Sequence, residues 1–237
     1  MDRRGFLLAS ASAALVAGAD FVVGDSALGS DYWPAPSITR LPYSSHRRMA
    51  WTLDDGFSRR AIDAYLTLLE KHEWVRMTMF VVPVASPWKH YRSRITDLVS
   101  TGRLQLGNHT YSHANLLKLS DHHIRQELIM CSEFIHDNFG VVARPYYRPP
   151  YGYIDKRVIR VAASVGYTKP VLWMGSTSAS STSDVSTVWS MCQKWMTNGR
   201  IVIDHANNFS TPTNFGRILP MLQSRGLSLV TISDVFG

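Results

Sequence analysis

The feature that most limits the fold of this chain is a rhythm of short apolar runs and amphipathic segments. Residues 49–53, 77–82, 104–106, 170–173, 201–203 and 227–232 are almost unbroken apolar stretches of strand length. Between them, apolar residues recur at helical spacing: Ile62, Tyr65, Leu66 and Leu69, then Ile124, Leu128, Cys131, Ile135 and Phe139, then Val185, Val188, Cys192 and Trp195. Ser58, Ser120 and Asp184 stand where helix N-caps are needed, and Gly140 and Gly166 stand at helix ends. Strands that are apolar on both faces must be covered on both faces, so the alternation predicts a mostly parallel sheet wrapped by helices, an α/β fold. Six or seven such units fit a small or incomplete barrel as well as an open sheet, and periodicity alone leaves both open.

Two segments at the start of the chain stand outside that rhythm. Asp2-Arg3-Arg4-Gly5-Phe6-Leu7, an apolar run to Val16 and Ala17-Gly18-Ala19 resemble a twin-arginine export signal with its cleavage site, so residues 1–19 are expected to direct the protein out of the cytoplasm. An ordinary secretory signal is the alternative, and the run is too short to anchor the mature chain in a bilayer. Residues 20–48, with Pro34, Pro36 and Pro42, are expected to be an extended lead-in packed loosely on a catalytic domain of residues 49–237. The net charge of +7 comes without a dense Lys/Arg stripe interleaved with aromatics, which argues against a nucleic-acid partner. Cys131 and Cys192, each on the apolar face of an expected helix, read as buried thiols.

The residues that carry chemistry lie where strands end. The run 49–53 stops abruptly at Asp54-Asp55-Gly56. The carboxyl end of a parallel strand is where ligands bind, although Asp-Asp-Gly is also an ordinary turn. After the run 104–106 comes Gly107-Asn-His-Thr-Tyr-Ser-His113, whose histidines are four apart and are expected to share one helical turn. Two imidazoles and a carboxylate form a common donor set for a catalytic divalent metal, though a surface pair of histidines at this spacing is also ordinary. Arg148 read alone could be a surface arginine, and His205 a buried hydrogen-bonded histidine. His46, His72, His90, His122, His123 and His136 are expected to be solvated.

In order, Thr-Leu-Asp-Asp-Gly, His-Thr-Tyr-Ser-His, Arg-Pro-Pro-Tyr-Gly and Ile-Asp-His resemble four of the five motif segments of the polysaccharide deacetylases, the NodB-homology group or carbohydrate esterase family four. The resemblance implies a distorted (β/α) barrel of about seven strands. It implies Asp54 as general base, and Asp55, His109 and His113 as ligands of a divalent metal, usually zinc, with cobalt, nickel or manganese able to serve. Arg148 would hold Asp54, the backbone N–H of Tyr151 would stabilise an oxyanion, and His205 would be the general acid. The implied reaction is removal of N-acetyl groups from an N-acetylglucosamine-containing polysaccharide. An O-acetyl esterase on xylan or another acetylated glycan, and a catalytically silent carbohydrate-binding relative, are the alternatives.

The chain departs from the family pattern in three places. Leu53 replaces an aromatic residue, and Asp204 precedes His205 where an apolar residue is commoner. The fourth motif, an Asp-rich segment, is missing: Trp173 is followed by Met-Gly-Ser-Thr-Ser, and no carboxylate appears before Asp184. The partner of His205 is therefore open, with Asp184 and Asp204 as the candidates.

Overall fold

A computed structural model describes residue 34 and residues 36–179 and 184–237. The export signal expected at residues 1–19 and most of the lead-in lie outside the described residues. Among the described residues, no helix is long and apolar enough to cross a membrane.

The chain runs β1 (Arg48–Asp55), α1 (Arg59–Lys71), β2 (Met77–Val81), α2 (Pro87–His90), α3 (Arg92–Ser100), β3 (Leu104–Asn108), α4 (Asp121–Phe139), β4 (Tyr146–Tyr147) and α5 (Lys156–Ala163). It continues through β5 (Lys169–Pro170), β6 (Gly175–Ser176), α6 (Val185–Trp195), β7 (Ile201–His205), α7 (Ser210–Thr213), α8 (Phe215–Ser224), β8 (Ser228–Leu229) and α9 (Ser233–Phe236). The sheet order is β5-β4-β3-β2-β1-β7-β6, with β8 beside the start of β1 and every strand pair parallel. Of the two architectures left open by periodicity, the molecule adopts the distorted, incomplete (β/α) barrel.

Strand alternation sorts each side chain to one of two cores. Trp51, Leu53, Met77, Met79 and Val202 face the helices and join the large core with Tyr65, Leu66, Leu128 and Ile135. Ala50, Phe80, Ile201 and Ile203 face the barrel interior and pack with Tyr146, Val171, Leu172 and Trp173. β1 lies between β2 and β7 and is buried from Met49 to its end. Each fully buried large apolar side chain is worth roughly 1.5–3 kcal/mol relative to exposure, so Trp51 and Leu53 help hold β1 in place.

The expected caps form: Ser58, Ser120 and Asp184 accept from backbone N–H groups of the first turns of α1, α4 and α6. Pro220 is tolerated within α8. Cys131 and Cys192 are free and buried. Five of the six remaining histidines are exposed and His72 is half-buried.

Three expectations need correction. The runs 170–173 and 227–232 are not full strands: regular pairing is confined to the two-residue strands β5 and β8, with Val171 N–H donating to the Tyr147 carbonyl at 2.8 Å and Val230 N–H to the Met49 carbonyl at 3.0 Å just beyond them. The described end of the lead-in, residues 36–48, is not loose. Ile38 pairs with Val171 beyond β5, donating to the Pro170 carbonyl at 2.8 Å and accepting from Leu172 N–H at 2.7 Å. Arg40 bridges Arg200, Leu41 N–H donates to Gly199, and the Leu41 side chain is buried. The third correction concerns the histidine pair.

Candidate metal centre and hydrolytic site

Asp54 and Asp55 end β1, and alternation alone would send them to opposite faces. Asp54 points into the barrel, level with His205 of β7. Asp55 reaches the same cavity because its backbone turns to φ 71°, the left-handed region that side-chain-bearing residues seldom adopt. Gly56 follows at φ 94°, where an added Cβ would lie 2.4 Å from the Trp88 ring. Trp88 Nε1 in turn donates to the Asp55 carbonyl at 3.0 Å. Asp-Asp-Gly is thus both a turn and a cluster of functional carboxylates.

His109 leaves the end of β3 with its ring fixed. Its Nδ1 lies 2.7 Å from the Arg148 carbonyl, which can only accept, so Nδ1 carries the proton and Nε2 faces the cavity. His109 Nε2 is 3.4 Å from Asp54 Oδ2 and 3.4 Å from Asp55 Oδ1. His113 Nε2 is 3.2 Å from Asp55 Oδ1. The two histidines do not share a helical turn. Thr110 and His113 adopt φ 65° and 62°, and the loop is pinned by Asn108 Oδ1 accepting from Thr110 N–H and by Glu127 accepting from Ser112 N–H and Oγ–H. Convergence comes from this irregular backbone and not from helical spacing.

One ligand atom each from Asp55, His109 and His113 lies within 4.8 Å of the others. Asp55 Oδ1 is buried and accepts no hydrogen bond. Burial pushes the Asp55 carboxyl toward protonation, but the neighbouring His109 imidazole and the charges of His113 and His205 outweigh it and hold it well below the usual carboxylate range. Burial brings His113 down to about 4, against the pull of Asp55. His109 is opposed by burial too, yet the carboxylates of Asp54 and Asp55 hold it above its ordinary value. An ionised carboxylate oxygen without a hydrogen, facing two imidazole nitrogens in a nearly dry cavity, is a donor set that suits a divalent cation.

Arg148 is wholly buried. Its Nη1 donates to Asp54 Oδ1 at 2.7 Å and to Thr52 Oγ1 at 2.9 Å, and its other nitrogens donate to the carbonyls of Val171 and Leu172. The guanidinium lies 4.2 Å from the Phe80 ring centroid and 5.6 Å from that of Trp173. Burial lowers its pKa while Asp54 raises it, and an arginine stays charged here. Pro149 and Pro150 have no N–H, so Tyr151, at φ 62°, offers the first backbone donor after Arg148. Its half-exposed ring stands 4.6 Å from that of His113.

His205 ends β7 half-buried beside this cluster, and its Nδ1 is buried without a hydrogen-bond partner. Neither candidate partner reaches it. Asp184 is exposed and caps α6, accepting from the N–H and hydroxyl groups of Ser186 and Thr187. Asp204 points to the helix side, where it accepts from Trp51 Nε1, Tyr65 Oη, Thr177 Oγ1, Thr211 Oγ1 and the His205 N–H. Sequence reasoning also missed Thr52 and Asn207, which touch Arg148 and Asp55. Thr52 opens the Thr-Leu-Asp-Asp-Gly segment, but no sequence signal tied it to Arg148, and Asn207 lies outside the motif segments.

Residues 42–170, just over half of the chain, match the family described as polysaccharide deacetylase. The chain is 27% identical over 207 residues to the peptidoglycan-N-acetylglucosamine deacetylase PgdA of Listeria monocytogenes serotype 1/2a (strain 10403S), covering 85% of this chain and 42% of that protein. It therefore spans less than half the length of that relative. Among solved structures, the Bc1960 peptidoglycan N-acetylglucosamine deacetylase superposes with a TM-score of 0.74 at 24% identity, over 84% of this chain and 92% of the other. A CE4 family pseudoenzyme from Bacillus anthracis does so with a TM-score of 0.73 at 21% identity, over 88% and 71%. At these identities the two structures speak for the fold alone.

Proposed function

Because the chain belongs to the polysaccharide deacetylase family, we propose that it is a metal-dependent hydrolase that removes N-acetyl groups from an N-acetylglucosamine-containing polysaccharide outside the cytoplasm. The supporting observation is the convergence of Asp55, His109 and His113 beside an Asp54 carboxylate that a buried arginine holds in place. The relative from Listeria, named for peptidoglycan N-acetylglucosamine, points to the substrate class, and Arg3-Arg4 with the following apolar run supports export.

Asp55, His109 and His113 would hold the cation, zinc first among the candidates, and a cation there supplies Lewis acidity that polarises an amide carbonyl and acidifies water. The chain's own groups account for the rest. Asp54, fixed through Oδ1 by Arg148, keeps Oδ2 toward the cavity and takes the proton of the attacking water. The Tyr151 N–H donates to the oxygen that gains charge as the carbonyl carbon becomes tetrahedral. His205 gives a proton to the departing nitrogen, so that the C–N bond breaks to leave acetate and a free amine.

The test is acetate release by the zinc-loaded chain from peptidoglycan fragments, chitin oligomers and acetylated xylan. Release from the amide substrates is expected. Release from xylan alone would replace the reading with an O-acetyl esterase, and release from none would leave a silent carbohydrate-binding relative.

A further inference from the structure

We infer that Asn207 is a positioning residue for the metal, fixing which oxygen of Asp55 meets the cation. The inference rests on the reading of Asp55, His109 and His113 as ligands.

The two oxygens of Asp55 have different surroundings. Oδ1 faces both imidazoles at 3.2 and 3.4 Å and has no hydrogen-bond donor. Oδ2 accepts from Asn207 Nδ2 at 2.6 Å. The amide orientation of Asn207 is set by its other contact, because its Oδ1 accepts from the Phe57 N–H at 3.3 Å. A backbone N–H can only donate and a carboxylate can only accept, so a single orientation of the amide satisfies both.

Asn207 lies two residues beyond His205, and Phe57 lies two beyond Asp55. The strand ends are already joined there by Ala206 N–H to the Asp54 carbonyl and Ser58 N–H to the Ala206 carbonyl. Asn207 is therefore carried on a fixed platform. Asp55 enters the cavity through a left-handed backbone, and rotation about its carboxylate bond is the freedom that would let both oxygens, or the wrong one, turn to the cation. The Asn207 bond removes that freedom and leaves Oδ1 alone in the donor set. Hydrogen-bond partners of metal ligands typically change metal affinity about ten- to a hundredfold when lost.

The test is zinc affinity of the purified full chain, measured by competition with a fluorescent chelator, for wild type and Asn207→Leu, with thermal unfolding of both metal-free proteins. The expected result is a zinc Kd raised about ten- to a hundredfold, with the metal-free unfolding midpoint moved by less than about 5 °C. An unchanged Kd would overturn the inference while leaving the ligand assignment standing. A raised Kd with a larger fall in the metal-free midpoint would also overturn it, assigning Asn207 to joining the two loops. Wild type that binds no zinc would remove the ligand assignment and this inference together. Should Asn207→Leu not fold, Asn207→Ser, too short to span to Asp55, is measured in the same way and decides.

Discussion

The ion pair between Arg148 and Asp54 offers the sharpest energetic test, because both side chains are almost wholly buried, at 0% and 3% exposure. Replacing Arg148 by Met leaves the Asp54 carboxylate in the barrel with its cationic partner gone. Breaking one side of such a pair costs about 3–5 kcal/mol. For a chain of this size that lowers the thermal midpoint by roughly 6–20 °C. Arg94 is the internal control. It reaches Asp63 and Glu70 at 2.6 Å each, shorter than the Arg148 bond, but its partners are 51% and 39% exposed. Distance alone would rank Arg94 higher; solvation reverses the order, and Arg94→Met is expected to cost at most about 1 kcal/mol. The assay is urea unfolding in the presence of a chelator, so that no cation compensates for lost charge. Arg148→Met combined with Asp54→Asn should be more stable than Arg148→Met alone, since the second change removes the stranded charge. If Arg148→Met costs no more than Arg94→Met, or the double variant is as unstable as the sum of the singles, the buried pair is not what holds this site.

Asp54→Asn is expected to keep zinc stoichiometry by elemental analysis while acetate release falls at least about a hundredfold, the usual minimum for losing a positioned base; near-normal turnover would remove Asp54 from the mechanism. Zinc affinity should weaken as pH falls from 8 to 6, by up to about tenfold per unit. The sign follows from His109, whose raised pKa means that a proton must leave before it can bind, whereas His113, at about 4, is already neutral across that range. A pH-independent Kd measured by competition titration would contradict it. Cys131 and Cys192 should resist a thiol reagent in the folded protein at pH 8 and react only on unfolding, because burial pushes both thiols up. Rapid labelling of either in the native state would show that the helix-side core opens.

What the sequence made legible follows from how local each signal is. The buried strand ending in two carboxylates could be read because burial and chain direction are both written in residues 49–56, and the caps Ser58, Ser120 and Asp184 could be read because a cap is a three-residue interaction. The histidine pair was legible in the sequence, but its geometry was not. Spacing of four permits a helical turn, but nothing in Gly-Asn-His-Thr-Tyr-Ser-His supplies an apolar face to bury, and tertiary bonds from Asn108 and Glu127 shape the loop instead. Asp204 looked like a neighbour of His205 and therefore a candidate partner; strand alternation puts it on the opposite face, among Trp51, Tyr65 and the threonines. Asn207 and Thr52 act across strand pairs that only the folded register brings together.

The segment from Ile38 to Leu41 has a consequence for where this molecule begins as a unit. The motif residues start in β1, and a boundary drawn from chemistry would fall at about residue 49. Yet the carbonyls of Pro170 and Gly199 and the N–H of Leu172 take their partners from residues 38 and 41. A piece cut at 49 would keep every proposed functional residue and lose the cover of the β5 margin and the backbone partner of Gly199. An open strand margin is a template for a strand from another molecule, and this short stretch occupies the one beside β5. Backbone pairing thus extends the folded unit upstream of its chemistry, to Ile38.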